Sequence, residues 1–172
     1  MLYEFKDGLN KYFATLGEAA PVKSVEELIA FNNSDTLELR YYDQQLLLEA
    51  QKKGGTDSKE YLDALSKMQL LAGKEGIDRV MDENKLDAFI APTGSPAWKT
   101  DLVNGDSFIV SSSSPAAISG YPNITVPMGF IDGLPVGISF FGRAWSEPLL
   151  LEIAYGFESG TSHRQAPLFQ EK

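Results

Sequence analysis

Thr93, Ser95 and the four consecutive serines Ser111, Ser112, Ser113 and Ser114 place their hydroxyls beside prolines and glycines in loop-like stretches, where a hydroxyl can act as a nucleophile or hold a ligand by hydrogen bonds. A serine becomes a useful nucleophile only when a neighbouring group takes its proton. The one histidine, His163, sits in a polar tail, and a Ser-His-Asp arrangement has no other imidazole to draw on. No Gly-x-Ser-x-Gly elbow occurs, and no serine has a lysine three positions later. A self-contained hydrolase would therefore have to use Ser95 or a serine of 111–114 with Lys99. The other use of these groups is as pocket wall. Pro92-Thr-Gly-Ser-Pro-Ala-Trp98 follows an apolar run with the character of a strand, and ligands in open α/β sheets gather beyond the carboxyl ends of strands. Ser111 to Ser114 runs into a short helical pattern whose N-terminal amides could meet an anion or a carbonyl oxygen. Serines before a proline also commonly satisfy their own backbone as turns. The pocket-lining candidates are Thr93, Ser95, Trp98, Ser111, Ser112, Ser113 and Ser114.

Other chemistries lack their residues. With one histidine, no cysteine and no Asp-x-Asp-x-Asp-Gly loop, no metal site is expected, and disulfides and thiol catalysis are excluded. Gly73-Lys74 is followed by glutamate and lacks the upstream glycine of a phosphate loop, and no Gly-x-Gly-x-x-Gly occurs, so no cofactor is expected. The net charge of −9 argues against nucleic-acid and anionic-lipid partners. The first residues alternate charged with apolar groups, unlike a secretory leader, and no stretch approaches the ~20 apolar residues of a membrane span. A soluble, cytoplasmic protein is the expectation.

The elements that must position these loops divide the chain by composition. Residues 1–86 hold 27 of the charged side chains and one proline, whereas 87–172 hold 12 and eight. This predicts a single domain or sub-domain of 1–172, mainly helical over 1–86, strands and loops over 87–145, a helix over 146–160 and a tail over 161–172. Leu2, Phe5, Leu9, Tyr12 and Leu16 form one helical stripe that Gly17 ends. Ser24-Val-Glu-Glu27 is a capping box opening a second helix, and a third over Asp43 to Lys53 is broken by Gly54-Gly55. Asp57, with Glu60 three residues on, is expected to cap a longer helix through Tyr61, Leu65, Met68 and Ala72 toward Met81, weakened in its middle by Gly73 and Gly76.

In the second half, Ala88-Phe-Ile-Ala91 reads as a buried strand stopped by Pro92. Asn123 to Val126 and Val136 to Phe141 read as strands of a hairpin with a longer loop around Asp132-Gly133. The spacing of Gly129, Gly133 and Gly137 belongs to that hairpin rather than to a membrane helix pair. Ser114 should cap one or two turns ending at Gly120, and Ser146 should cap a last helix ending at Gly160.

Three segments resemble a known family in order and spacing: Lys85-Leu-Asp-Ala-Phe-Ile-Ala-Pro-Thr93, Ser114-Pro-Ala-Ala-Ile-Ser-Gly-Tyr-Pro-Asn-Ile-Thr-Val-Pro-Met-Gly129, and Gly133-Leu-Pro-Val-Gly-Ile-Ser-Phe-Phe-Gly-Arg-Ala-Trp-Ser-Glu147. Together with Leu149 to Glu158, and more loosely with Tyr3 to Tyr12 and Ser24 to Asn32, they resemble the C-terminal portion of amidase signature enzymes. The resemblance implies an α/β fold, a mixed β-sheet flanked by helices, and hydrolysis of carboxylic amide C–N bonds through a serine acyl-enzyme. It places the nucleophilic serine, a second serine on a cis peptide and a lysine in a preceding Gly- and Ser-rich region that has no counterpart here. No catalytic residue is therefore assigned, and this chain alone is expected to be inactive. Its expected partners are the missing N-terminal catalytic portion of the amidase and, in the complete enzyme, a small amide substrate. A sheet built to continue into an absent half would leave an unpaired edge, so self-association is also expected. The alternative is a non-catalytic binding or scaffolding module derived from the same fold.

Overall fold

A computed structural model describes residues 1–167 and divides the chain into two compact units, Met1–Leu65 and a second beginning at Ser66. In the first, helix α1 (Leu2–Thr15), α2 (Val25–Ser34) and α3 (Gln45–Gln51) lead into α4 (Lys59–Ala72), which runs on into the second unit. The capping box at α2 forms with a variation: Ser24 Oγ accepts from the Glu27 amide at 3.1 Å, while Glu27 Oε2 accepts from the Lys23 amide at 2.8 Å. Lys6 reaches the carbonyls of Gln51 and Lys53 at 3.0 and 2.9 Å, placing a cation on the negative end of α3. The cap of α4 differs from expectation by one residue, since Ser58 rather than Asp57 accepts from the Tyr61 amide, at 3.4 Å.

After Ala72 the helix widens into a π-helical turn, Gly73–Asp78, before α5 (Arg79–Asn84). The two glycines expected only to weaken the helix have a steric task instead. A Cβ on Gly76 would lie 2.6 Å from the Leu71 carbonyl oxygen, and one on Gly73 would lie 3.1 Å from the Tyr121 hydroxyl. Gly76→Ala is therefore expected to destabilise the second unit by ~1–3 kcal/mol, far from the usual gain for a helical Gly→Ala change. A fall in the urea midpoint at unchanged slope would show it, and a midpoint that stays or rises would remove the steric argument.

The second unit continues with β1 (Phe89–Pro92), α6 (Ser114–Ser119), β2 (Asn123–Ile131), β3 (Leu134–Phe141) and α7 (Glu147–Thr161). The strands form an antiparallel sheet in the order β1-β3-β2, with Phe89 and Asn123 both opposite Phe141, so the strands and flanking helices give the α/β arrangement expected. One sheet face buries Val126, Ile138 and Phe140 against Leu150 and Ala154 of α7. The other buries Phe141 against Ile77, Met81 and Ala116.

Several local expectations change. The hairpin loop is short, because β2 and β3 extend until only Asp132 and Gly133 remain between them, with φ of 50° and 80° that suit a tight turn. Gly129, at φ 145°, follows an irregularity in β2 after Pro127. Strand β1 is half-exposed rather than buried: it lies at a sheet edge and Ile90 is 63% exposed. Ser113, not Ser114, precedes α6, and no side chain caps that helix. Ser146 precedes α7, but its Oγ donates to the Arg143 carbonyl at 2.7 Å instead of capping. Helix α7 ends at Thr161, where Ser162 rather than Gly160 takes the left-handed conformation. Of the tail expected over 161–172, residues 168–172 lie outside the described residues. No helix among the described residues is long and apolar enough to cross a membrane.

Candidate functional site

Thr93 stands just past β1, held by its amide donating to the Gly137 carbonyl at 2.8 Å. Gly137 allows the approach, since a Cβ there would fall 2.9 Å from Thr93 Oγ1. Side chains two residues apart on a strand share a face, which brings Thr125 of β2 and Ser139 of β3, directly paired across the ladder, beneath Thr93. Thr93 Oγ1 contacts Ser139 Oγ at 2.8 Å and is hydrogen-bonded to Thr125 Oγ1, and Thr125 and Ser139 are 3.1 Å apart. Ser139 is only 2% exposed, so its hydroxyl needs these partners. The cluster floors an open groove of about 620 Å³ whose sides include Ser113, Tyr121 and Asn123. Tyr121 donates its hydroxyl hydrogen to Asp78 Oδ2 at 2.8 Å; burial and that carboxylate raise its pKa above the ordinary phenol value.

The remaining candidates scatter along the 93–114 segment. Ser95 Oγ accepts from the amides of Ile109 and Val110 at 2.8 and 3.1 Å, and its own amide donates to the Val110 carbonyl, so it ties the two ends of a loop. Gly94 and Ser111 form a β-bridge across the same neck. Within the loop, Trp98 Nε1 donates to Asp106 Oδ1 at 3.1 Å and its ring meets Phe108 edge-on. Asp101 accepts from the amides of Asn104 and Val103 and from the Asn104 side chain, contacts that hold its carboxyl below the usual range. Ser111 Oγ lies 3.1 Å from Ser113 Oγ, whereas Ser112 is buried with its hydroxyl unpartnered. Ser114 lines a different, almost wholly apolar groove of about 440 Å³ with Leu71, Ile77, Phe89 and Phe141.

Thus the structure gathers Thr93 and Ser113 into one groove and leaves Ser95, Trp98, Ser111, Ser112 and Ser114 outside it. It adds Tyr121, Asn123, Thr125 and Ser139. Their sequence signal was the polar alternation Asn123-x-Thr125 and a lone serine within Val136 to Phe141, a pattern that marks one face of a sheet only once the pairing is known. No charged side chain lines the groove, and among the described residues no hydrogen bond joins Lys99 to any of these serines. No group of three or more metal-ligating side chains occurs among the described residues. A groove of this kind can orient a polar ligand, but it offers no group to activate a nucleophile.

Comparison with known proteins adds to this geometry. Residues 1–151 match the sequence model described as Amidase. The "Probable amidase" of Arabidopsis thaliana is 40% identical over 172 residues, which is 98% of this chain and 30% of that protein. Among solved structures, the peptide amidase PAM in complex with the competitive inhibitor chymostatin superposes with a TM-score of 0.87 at 48% identity, over 98% of this chain and 34% of that one. An amidase family protein from Bacillus anthracis gives 0.71 at 30% identity, over 98% and 30%. The chain spans about a third of the length of these relatives.

Proposed function

Because this chain belongs to the amidase family, we propose that it is the tail portion of an amide hydrolase, supplying strands and one pocket wall for a small amide substrate while the nucleophile and its base come from elsewhere. The observation that carries this reading is the bonding of the groove hydroxyls. Thr93, Thr125 and Ser139 bond to one another and to the Ile138 carbonyl, and none is paired with an amine, imidazole or carboxylate. A hydroxyl so placed keeps its proton, and nucleophilic catalysis forfeits most of its advantage. The sheet supports the second half of the proposal. β1 and β2 are its two outer strands, each paired on one side only among the described residues, and such edges can accept a further strand.

The chain alone is expected to hydrolyse no amide above the solution rate and to show no stoichiometric labelling by a fluorophosphonate, which phosphonylates activated serines with loss of fluoride. Intact-mass spectrometry after incubation reads the labelling directly. Stoichiometric modification of Ser95, or of any serine in 111–114, would replace this reading with a self-contained hydrolase.

A further inference from the structure

Asn104 is followed by glycine, the one Asn-Gly pair in the sequence, midway along the loop after β1. Residues 97–110 are all exposed, and among the described residues their hydrogen bonds run only within the loop or to Ser95 at its neck. A segment tied so lightly opens locally at little cost. Glycine matters here because it has no Cβ to shield its own backbone nitrogen. Gly105 has a φ of 80°, and a Cβ placed on it would meet nothing within 4 Å. The Asn104 carboxamide thus has an unhindered amide nitrogen one residue on and lies open to water.

Both reacting groups are tied to Asp101. Asn104 Nδ2 donates to Asp101 Oδ2 at 2.8 Å, and the Gly105 amide donates to the Asp101 carbonyl at 3.0 Å. Asp101 Oδ1 further accepts from the amides of Val103 and Asn104 at 2.8 and 2.9 Å, an Asx turn that fixes the backbone between them. One bond holds the side-chain nitrogen that must leave, and the other holds the proton that the attacking nitrogen must lose.

We propose that Asn104 is a site of spontaneous deamidation and that Asp101 is the guard that sets its rate. Reaction begins when the turn opens and the Gly105 amide loses its proton to hydroxide. Its nitrogen attacks Asn104 Cγ, the new C–N bond closes a succinimide ring, and Nδ2 leaves as ammonia with a proton taken from water. Water then adds at either ring carbonyl and breaks one C–N bond, giving aspartate or isoaspartate. Water is consumed and ammonia released, with no change of oxidation state. The product has no Nδ2 donor for Asp101 and sets a like charge beside it, so the Asp101 carboxyl rises from its lowered value. The turn is loosened irreversibly, while the sheet beyond the neck keeps its pairing.

Held for several days in mildly alkaline buffer, the full chain should gain about 1 Da at residue 104 ahead of its other asparagines, as read by peptide mapping with mass spectrometry. Asp101→Ala should convert about tenfold faster, approaching the rate of a synthetic peptide of residues 99–109, since a few ordinary hydrogen bonds are worth about that factor. Asp101→Asn can still accept but carries no charge, and its rate should fall between. Asp101 is exposed and its bonds stay within the loop, so both variants should keep the fold, which circular dichroism checks. In Asn104→Asp, carbon NMR should find the Asp101 carboxyl titrating higher than in the unmodified chain. A wild-type chain that stays intact while Asp101→Ala converts would support a tighter guard. Equal rates with and without Asp101, a first product at another asparagine, or an Asn104 that survives in Asp101→Ala while the peptide converts would each overturn the proposal. An Asp101 titration unmoved in Asn104→Asp would overturn the loosening of the turn.

Discussion

Combining this chain with the portion of a family amidase that precedes the region it matches is expected to convert two inactive polypeptides into an amide hydrolase. The expected gain is large, because enzymes accelerate such reactions by at least about 10⁶-fold and neither part is complete alone. The surfaces support tight association. Ile90 on the β1 edge, Leu151 and Tyr155 on α7, and Phe108 and Ile109 in the loop after β1 are all exposed apolar side chains. Strand pairing and helix packing within one fold resemble an obligate interface, which buries on the order of 2,000 Å² or more, so the complex should survive dilution. Within it, Thr125→Val, in the groove wall, is expected to raise KM several-fold while kcat changes little, since a wall residue positions substrate and leaves the chemistry to the partner. Co-purification followed by an assay on a panel of amides measures both effects. Parts that co-purify without activity would leave the chain a structural role, and parts that never associate would favour the scaffolding alternative.

Leu150→Ala should be the most damaging single substitution in the second unit. Leu150 is 2% exposed and fills the space between α7 and the sheet, against Val126, Ile138 and Phe140. Truncating such a side chain loses its transfer free energy and leaves a cavity, at about 2–5 kcal/mol. Domains of this size are stable by only ~5–15 kcal/mol, so the unit would lose a large part of its margin. Circular dichroism with urea titration should show the midpoint falling, and a loss under about 1 kcal/mol would mean that α7 contributes little to holding the sheet. Leu151→Ala, one residue on but exposed, is the matched control and should cost the isolated chain little.

Much of the chain was legible from residue order. Periodic apolar residues gave α1, the Ser24 capping box gave the start of α2, and Gly120 ended α6 as its chemistry requires. These signals are local: the residues that make the cap or the stripe lie within a turn or two of one another, so their physics is complete in a short window. Boundaries shifted where a competing local partner was available, as when Ser58 took the capping role expected of Asp57 and the Ser146 hydroxyl turned to the Arg143 carbonyl.

The motif order by itself determined the family and the character of the second half, because the sequence carries those signatures directly. What only the tertiary structure decided was the membership of the groove. Seven loop residues were candidates, yet two of them line it, and four others entered from β2, β3 and the turn before them. Ser139 lies 46 positions from Thr93, and nothing near either residue announces the other. Their meeting depends on β3 lying between β1 and β2, on the register that sets Thr125 opposite Ser139, and on Gly137 leaving room for Thr93. A one-residue slip would turn Thr125 and Ser139 to the α7 face and bring apolar neighbours in their place, because side chains alternate along a strand. Strand pairing is a long-range choice made by the buried faces as a whole, so the short-range pattern could name Thr93 and the other hydroxyls of its loop but not Thr125 and Ser139, which converge on it.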